Sequence, residues 1–334
     1  MPRRRIRMED LAQVCETSVS TVSRVLAGRP GVRADLRERV ERAARERGYA
    51  MAPPVAGRTA LLVASPAAMV DYARSQFTLH VLEGLRDRAA TLGLTLETRA
   101  ADRPLDELVP EVPDLAGLLL LSPDDETIAQ AAALSIPVVL VNADDPEMRL
   151  SSVAPCNRTA ARAATAALVA MGHRRIAFLA HPGRRTISQR RAGWAQALGE
   201  AGLAPDPDLE ITAADWTPDA AAEAVSARLA RDGLGATAIL AAGDSLATGA
   251  LVALRRAGVD VPGEVAVMGF DGLPQCELQT PPLSAVEIPM RAIGRVALDL
   301  LAEAQDGGSD LPPRRVELAC RLVWRGSTGP AARG

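Results

Sequence analysis

The chain has 334 residues, 48% hydrophobic and 24% charged, with a formal net charge of −3. This is ordinary globular usage, which excludes a disordered chain, and the length leaves room for two domains and a small third. The longest apolar run, Leu115–Leu121, is interrupted by Gly117. It falls far short of the ~18 residues of a membrane span, so no membrane partner is expected.

The net charge hides an asymmetry. Residues 1–50 carry 12 Arg against 7 Asp and Glu, while the remainder carries 26 Arg against 34 acids. A small basic head on an acidic body is the footprint of a protein that meets a polyanion. The N-terminal Met-Pro-Arg-Arg-Arg is followed by charged and polar residues, not an apolar segment. No secretory signal is expected, and the cytoplasm is the expected compartment. The four cysteines are scattered without a CxxC pair. That spacing predicts neither a disulfide framework nor a metal site, and no cofactor motif is present.

Residues 8–48 read as three short helices. Met8, Leu11, Ala12 and Val14 form the apolar face of the first, and Cys15-Glu16-Thr17 interrupts it. Ser18 is placed to cap a second helix, Val19–Ala27, whose inward face is Val22, Val25 and Leu26. Gly28 ends it, and Pro30-Gly31 makes a turn. A third helix spans Ala34–Arg47 with Leu36, Val40, Ala43 and Ala44 on one stripe and Gly48 as its C-cap. Residues 50–58, with Pro53-Pro54, have the composition of a linker.

Beyond Thr59, short apolar runs alternate with Ala-rich amphipathic stretches. The runs are Ala60–Ala64, Leu94–Glu97, Gly117–Leu121, Pro137–Val141, Arg175–Ala180, Thr237–Ala241 and Val265–Phe270. Helices are expected at Phe77–Leu92, Asn157–Met171, Ile187–Ala201, Pro218–Arg231 and Ser245–Ala257. This alternation predicts an α/β fold, parallel sheet with helices on both faces. A fresh start at Gly172-His173-Arg174-Arg175-Ile176 divides it into two similar lobes. The segments Leu283–Glu287, Ile288–Ala304 and Arg314–Trp324 are left to return to both.

The sharpest chemical signal is Leu11–Leu26. Two short helices around a three-residue turn make a helix-turn-helix, whose second helix fits the major groove. Its outward face is Val19, Ser20, Ser23 and Arg24. The short polar side chains allow close approach, and one arginine can grip guanine or phosphate. A plain three-helix bundle is the bland alternative; the basic charge and small outer face argue against it.

Ser18-Val19-Ser20-Thr21-Val22-Ser23-Arg24-Val25-Leu26, followed by Val40, Ala43-Ala44 and Gly48-Tyr49, resembles the DNA-binding head of the LacI/GalR family of bacterial transcriptional regulators. The resemblance continues through Met171–Leu179, Arg190-Arg191-Ala192-Gly193-Trp194 and the stretch from Asp244 through Gly258 and Pro262 to Gly269-Phe270-Asp271. It implies a three-helix head at 1–50, a linker at 51–59, and at 60–334 a two-lobed, doubly wound, periplasmic-binding-protein-like body. The N-lobe is expected at 60–168 and 290–318, the C-lobe at 169–289 and 319–330. It further implies a homodimer, with a tetramer left open, that binds a pseudo-palindromic operator and is controlled by a small-molecule effector, a sugar or sugar derivative, held between the lobes.

By the same resemblance, Val19, Ser20 and Arg24 read bases, and Ser18, Thr21 and Ser23 meet phosphates. The effector residues carried over are Ser65, Phe77, Asn157, Arg190, Trp216, Asp244 and Asp271. An arginine with carboxylates and an aromatic face is a sound polyol site, because the polar groups take hydroxyls and the ring takes the apolar C–H face. Trp194 reads as core, His173 and His181 as capping or surface residues, and His80 as solvent-facing.

Several positions depart from the family pattern. The turn carries Cys15-Glu16-Thr17, Arg33 stands at the cap of the third helix, and the linker lacks the usual leucine wedge, with Val55 the nearest substitute. In the cleft, Gly243 replaces Asn, Cys156 replaces Asp, and Ile288 stands at a commonly polar position. Three lost polar groups count against a standard hexose and point to a less polar or differently shaped effector. Two rival functions are a solute-binding protein, which shares the lobes, and an enzyme on a doubly wound fold. A solute-binding transport protein would need export, and an enzyme would need a phosphate loop or a nucleophile–His–acid set, neither of which is evident.

Overall fold

The computed structural model describes residues 6–26, 31–47, 49, 55–64, 72–307 and 311–332. The head contains helices α1 (Met8–Val14), α2 (Val19–Leu26) and α3 (Ala34–Arg47). Leu11, Ala12, Cys15, Val22, Val25, Val40, Ala43 and Ala44 form its own small core. The expected face of α1 is corrected at one position: Val14 is 43% exposed and Cys15 is buried in its place. Met8, Leu11, Ala12 and Cys15 stand at i, i+3, i+4 and i+7, a continuous helical stripe, whereas Val14 lies to one side of it. The capping Ser18 is as expected, its Oγ accepting from the Thr21 amide at 3.1 Å. Gly28, Pro30 and Gly48 lie outside the described residues.

The body opens with strand β1 (Thr59–Ala64), helix α4 (Tyr72–Leu92), β2 (Thr95–Ala100), α5 (Leu105–Leu108), β3 (Leu115–Leu121), α6 (Asp125–Ala132), β4 (Val138–Val141) and β5 (Ser151–Pro155). It continues with α7 (Asn157–Ala170), β6 (Ile176–Ala180), α8 (Arg185–Glu200), β7 (Glu210–Thr212), α9 (Pro218–Asp232), β8 (Ala238–Ala241), α10 (Asp244–Arg256), β9 (Ala266–Asp271), β10 (Ser284–Glu287), α11 (Met290–Gly307), β11 (Arg315–Leu318) and β12 (Arg321–Val323). The sequence reading missed β5 and β7. The first carries two serines and a proline, and the second is only three residues long, so neither has a strong strand pattern.

Among the described residues two six-stranded sheets form, ordered β11-β5-β4-β3-β1-β2 and β12-β10-β9-β8-β6-β7. The first is parallel throughout; in the second only β12 runs antiparallel, against β10. The two lobes therefore share one topology, with a switch point between β1 and β3 and again between β6 and β8. Open sheets of this kind bind ligands at the carboxyl ends of strands beside such a switch.

Among the described residues the chain crosses between lobes three times: after Pro155, after Glu287, and between Leu318 and Arg321. The first crossing corrects the expected lobe boundary near residue 168. Helix α7 packs on α8 and on β8 and β10 of the second sheet. Its Ala160, Ala161, Ala164 and Leu168 are buried there. Close helix pairing of this kind needs missing side chains. A Cβ on Gly193 would stand 2.1 Å from the Arg158 carbonyl oxygen, and one on Gly294 would stand 2.3 Å from that of Val81.

Trp194 is core, as expected. It is fully buried, stacks on Phe178 at 5.7 Å, and donates its indole N–H to the Ile176 carbonyl at 3.0 Å. His173 is not a surface residue. It is buried, with its two ring nitrogens 3.0 Å from the Thr237 hydroxyl and from the Gly329 carbonyl. Burial holds its pKa below the usual imidazole value. His80 is half-buried and pairs with Glu83 at 3.0 Å.

Val55 also departs from expectation. It is fully buried in the core of the body, with its carbonyl accepting from the Arg58 amide and Gly57 donating to Gly93. A side chain held there is not presented to a minor groove, and the body begins at Val55, ahead of the expected residue 60. Removing two buried methyl groups should destabilise the body: Val55→Ala is expected to cost about 2 kcal/mol by urea unfolding. Operator bending measured by energy transfer should not change.

Candidate functional site

Two sites follow from this frame. In the head, the hydrogen-bonded start of α2 fixes which residues face outward: Val19, Ser20, Ser23 and Arg24 are exposed, and Thr21 is half-buried. Ser18 is engaged in structure. Besides capping Thr21, its Oγ lies 2.8 Å from Ser20 Oγ and 2.8 Å from Thr21 Oγ1. The turn before it is held open by Glu16 at φ +48°, a left-handed conformation that costs a non-glycine residue about 1–2 kcal/mol.

The second site is a cleft between the lobes. Its walls come from strand ends. Ser122 follows β3, Asn142 follows β4, Gly243 follows β8, and Asp271 ends β9. Helix α4 adds Phe77 and Thr78, α8 adds Arg190, and Trp216 comes from the loop after β7. Ser122, Asn142 and Asp271 hold φ of +49°, +56° and +124°. Strain of this type at non-glycine residues collects at ligand sites.

Arg190 is the centre of the cleft floor. Its Nε donates to Asn157 Oδ1 at 2.9 Å, and its Nη1 donates to the Ala242 carbonyl at 2.6 Å and to Asp271 Oδ1 at 3.4 Å. Its guanidinium lies 3.7 Å from the centroid of Phe270. Burial lowers the arginine pKa, and the charge of Asp271 opposes that shift. Burial likewise raises Asp271, and Arg190 opposes it.

Beneath Asp271 sits Asp244, fully buried at the start of α10. Its Oδ2 accepts from the Leu273 amide at 2.8 Å and from the Cys276 thiol at 3.1 Å, while buried Oδ1 has no partner among the described residues. Burial first, and then the neighbouring Asp271 charge, push its pKa up to about 8. Asp244 is thus a largely neutral acid at pH 7 that supports the loop after β9.

The expected effector residues therefore divide. Phe77, Arg190, Trp216 and Asp271 share the cleft. Asn157 is buried behind it and positions Arg190; Asp244 lies under the floor and does not line it. Ser65 lies outside the described residues. Of the three departures from polarity, only Gly243 is on the wall, where a Cβ would stand 3.6 Å from the Trp216 ring. Cys156 and Ile288 lie at lobe crossings. The cleft keeps Thr78, Ser122, Asn142, Thr186 and Ser245, so its polarity is greater than those departures suggest.

The sequence reading missed Ser122 and Asn142, whose amide donates to the Ser122 hydroxyl at 3.0 Å. Their signal was their place just after apolar strands. It also missed Arg184, whose guanidinium lies 5.3 Å from the Trp216 ring, and a contact between the lobes: Arg185 of α8 stands 3.5 Å from Asp144, which Arg315 also approaches at 3.3 Å.

Comparison with known proteins gives two family matches. Residues 7–51 match the family of bacterial regulatory proteins, lacI family, and residues 165–328 match the periplasmic binding protein-like domain. The HTH-type transcriptional repressor CytR of Escherichia coli strain K12 is 31% identical over 96% of this chain and 96% of its own. The structure of a transcriptional regulator CelR–cellobiose complex is 30% identical, with a TM-score of 0.72 over 97% of this chain and 100% of that one. A lac repressor dimer bound to operator and the anti-inducer ONPF is 26% identical, with a TM-score of 0.70 over 98% and 100%.

The raised Asp244 has a consequence for stability. Its folded pKa lies above the unfolded value, so the native state binds the extra proton, and stability falls as pH rises from about 4 through about 8. Asp271, Arg190 and Cys276 are the ionisable groups around it. Asp244→Asn removes that slope. Its stability relative to wild type should improve by about 1–3 kcal/mol between pH 5 and pH 8, read from urea denaturation at both values.

Proposed function

The chain belongs to the lacI family of bacterial regulatory proteins and is a helix-turn-helix transcriptional regulator, and we propose that it is a homodimeric repressor released or engaged by a sugar or sugar derivative bound in the interlobe cleft. The observation that carries this reading is the company kept by Arg190. One cleft brings together a held guanidinium, the Asp271 carboxylate, the hydroxyls of Thr78, Ser122 and Ser245, the Asn142 amide, and the rings of Phe77 and Trp216. Polar groups of both hydrogen-bonding senses beside flat apolar rings suit a polyol, whose rim is hydroxylated and whose ring faces are C–H. The cellobiose complex of a relative supports the same class.

Because opposite walls come from different lobes, a ligand that touches both favours one lobe angle over others. That preference is the free energy available for control. The Arg185–Asp144 contact joins the two lobes and would tighten or part with them. On the DNA side, Val19, Ser20 and Arg24 are the base-reading candidates, with Thr21 and Ser23 on the flanking backbone. Ser18 is reassigned mainly to capping. A dimer would place one head on each half of a pseudo-palindromic operator, as in the operator-bound lac repressor dimer. Such a regulator works in the cytoplasm without catalysis, since control requires only binding energy.

Two substitutions separate the sites. Arg24→Ala should weaken specific operator binding by about 1–3 kcal/mol in a salt-controlled gel shift, with sugar binding unchanged. Asp271→Asn should cost about 1.5–3 kcal/mol of effector affinity by calorimetry, with operator affinity retained in its absence. Wild-type sugar affinity in Asp271→Asn would remove the cleft assignment, and an unchanged footprint in Arg24→Ala would remove the assignment of the α2 face.

A further inference from the structure

The four cysteines look scattered in sequence, but two of them meet at the crossings between the lobes. Cys156 directly follows β5, and Cys320 sits in the short connection between β11 and β12. Strands β5 and β11 pair in parallel, with Pro155 opposite Leu318. From there the Cys156 amide donates to the Leu318 carbonyl at 2.9 Å. The Cys320 thiol donates to the same carbonyl at 3.9 Å, so both cysteines are gathered on Leu318. Both residues are partly exposed, whereas Cys15 is buried in the head and Cys276 is buried against Asp244.

We propose that Cys156 and Cys320 form a reversible disulfide that staples two of the three crossings between the lobes. The residue after Cys156 is Asn157, which holds Arg190, so the staple would fix the hinge directly beside the cleft floor. A metal is a poorer occupant: tetrahedral thiolate sites need three or four protein ligands, and no such group occurs among the described residues.

The oxidant is a peroxide. The Cys156 thiolate attacks one oxygen of hydrogen peroxide; an S–O bond forms, the O–O bond breaks, and the leaving hydroxide takes a proton as water. The Cys320 sulfur then attacks the sulfenic sulfur. An S–S bond forms, the S–O bond breaks, and the departing hydroxide takes the Cys320 proton as a second water. The two sulfurs lose two electrons and the peroxide gains them. Burial, with Cys156 alongside, pushes the Cys320 thiol up to about 12. It therefore keeps its proton until the second step, in which the departing hydroxide removes that proton as the S–S bond forms. The disulfide is uncharged, so the burial that disfavours a thiolate does not oppose it.

The test uses the full chain with hydrogen peroxide and then dithiothreitol, without DNA or sugar, so its result is independent of the effector reading. Oxidised wild type should lose two hydrogens by intact mass and yield one peptide pair linked through Cys156 and Cys320. Hydrogen exchange in segments 154–160 and 316–323 should slow several-fold and recover on reduction. Cys156→Ser and Cys320→Ser should show neither change, with Cys156→Ala and Cys320→Ala as alternates should either serine variant fold poorly. Links through Cys15 or Cys276, no loss of hydrogen, or a linked pair with unchanged hinge exchange would each overturn the proposal.

Discussion

The buried guanidinium of Arg190 is the constraint around which the body is organised. An unpaired cation in that position would be prohibitive, and the effective penalty remains several kcal/mol even after relaxation. The chain meets it with acceptors from separate elements: Asn157 at the first lobe crossing, the carbonyl after β8, and the carboxylate ending β9. The Phe270 face adds a favourable surface for the cation. None of these acceptors is near another in sequence. Arg190 therefore records whether β8, β9 and the crossing are in register, and it offers any ligand a charge whose position is already set.

Asp244 shows how the surrounding structure supports that arrangement. Its mostly neutral carboxyl collects the loop after β9 through Leu273 and Cys276. Asp271 above it faces Arg190, whose charge opposes the rise that burial imposes on this carboxyl. Two carboxyls in one small volume raise each other's cost of ionisation, and burial pushes both upward while Arg190 opposes the shift at Asp271. The repeated topology of the two lobes then places comparable strand ends on opposite walls, so a cleft forms without any dedicated loop insertion.

Much of this was legible in the sequence. The Ala-rich helices and valine- and leucine-rich runs specified their elements because both strand faces are buried and the pattern is continuous. Arg190, Asp271, Phe77 and Trp216 could be placed by resemblance, and they converge. What was not legible depended on packing between distant segments. Asn157 and Asp244 are polar residues next to the site, and only the fold distinguishes a wall residue from a support behind it. The boundary near residue 168 misled because helix α7 is amphipathic in either lobe; its partner, Gly193 on α8, decides the matter through a close approach that no local pattern encodes. Val55 looked like linker because prolines precede it, yet one valine with a buried pocket is enough to anchor a chain.

That anchorage sets a ruler. Tyr49 closes the core of the head and Val55 enters that of the body, so the two folded units are joined by a tether that, fully extended, reaches about 20 Å. In a dimer, the chain length between Tyr49 and Val55 sets an upper limit on how far each head can stand from its own body. Half-sites on B-DNA are separated by a fixed rise and rotation, and adding base pairs moves one of them both along and around the helix axis. A short tether of this kind makes the distance between half-sites part of the recognition code. Promoters carrying the right letters at the wrong interval would be passed over, and a genome could gain or lose control by this protein through insertions that leave every contacted base intact.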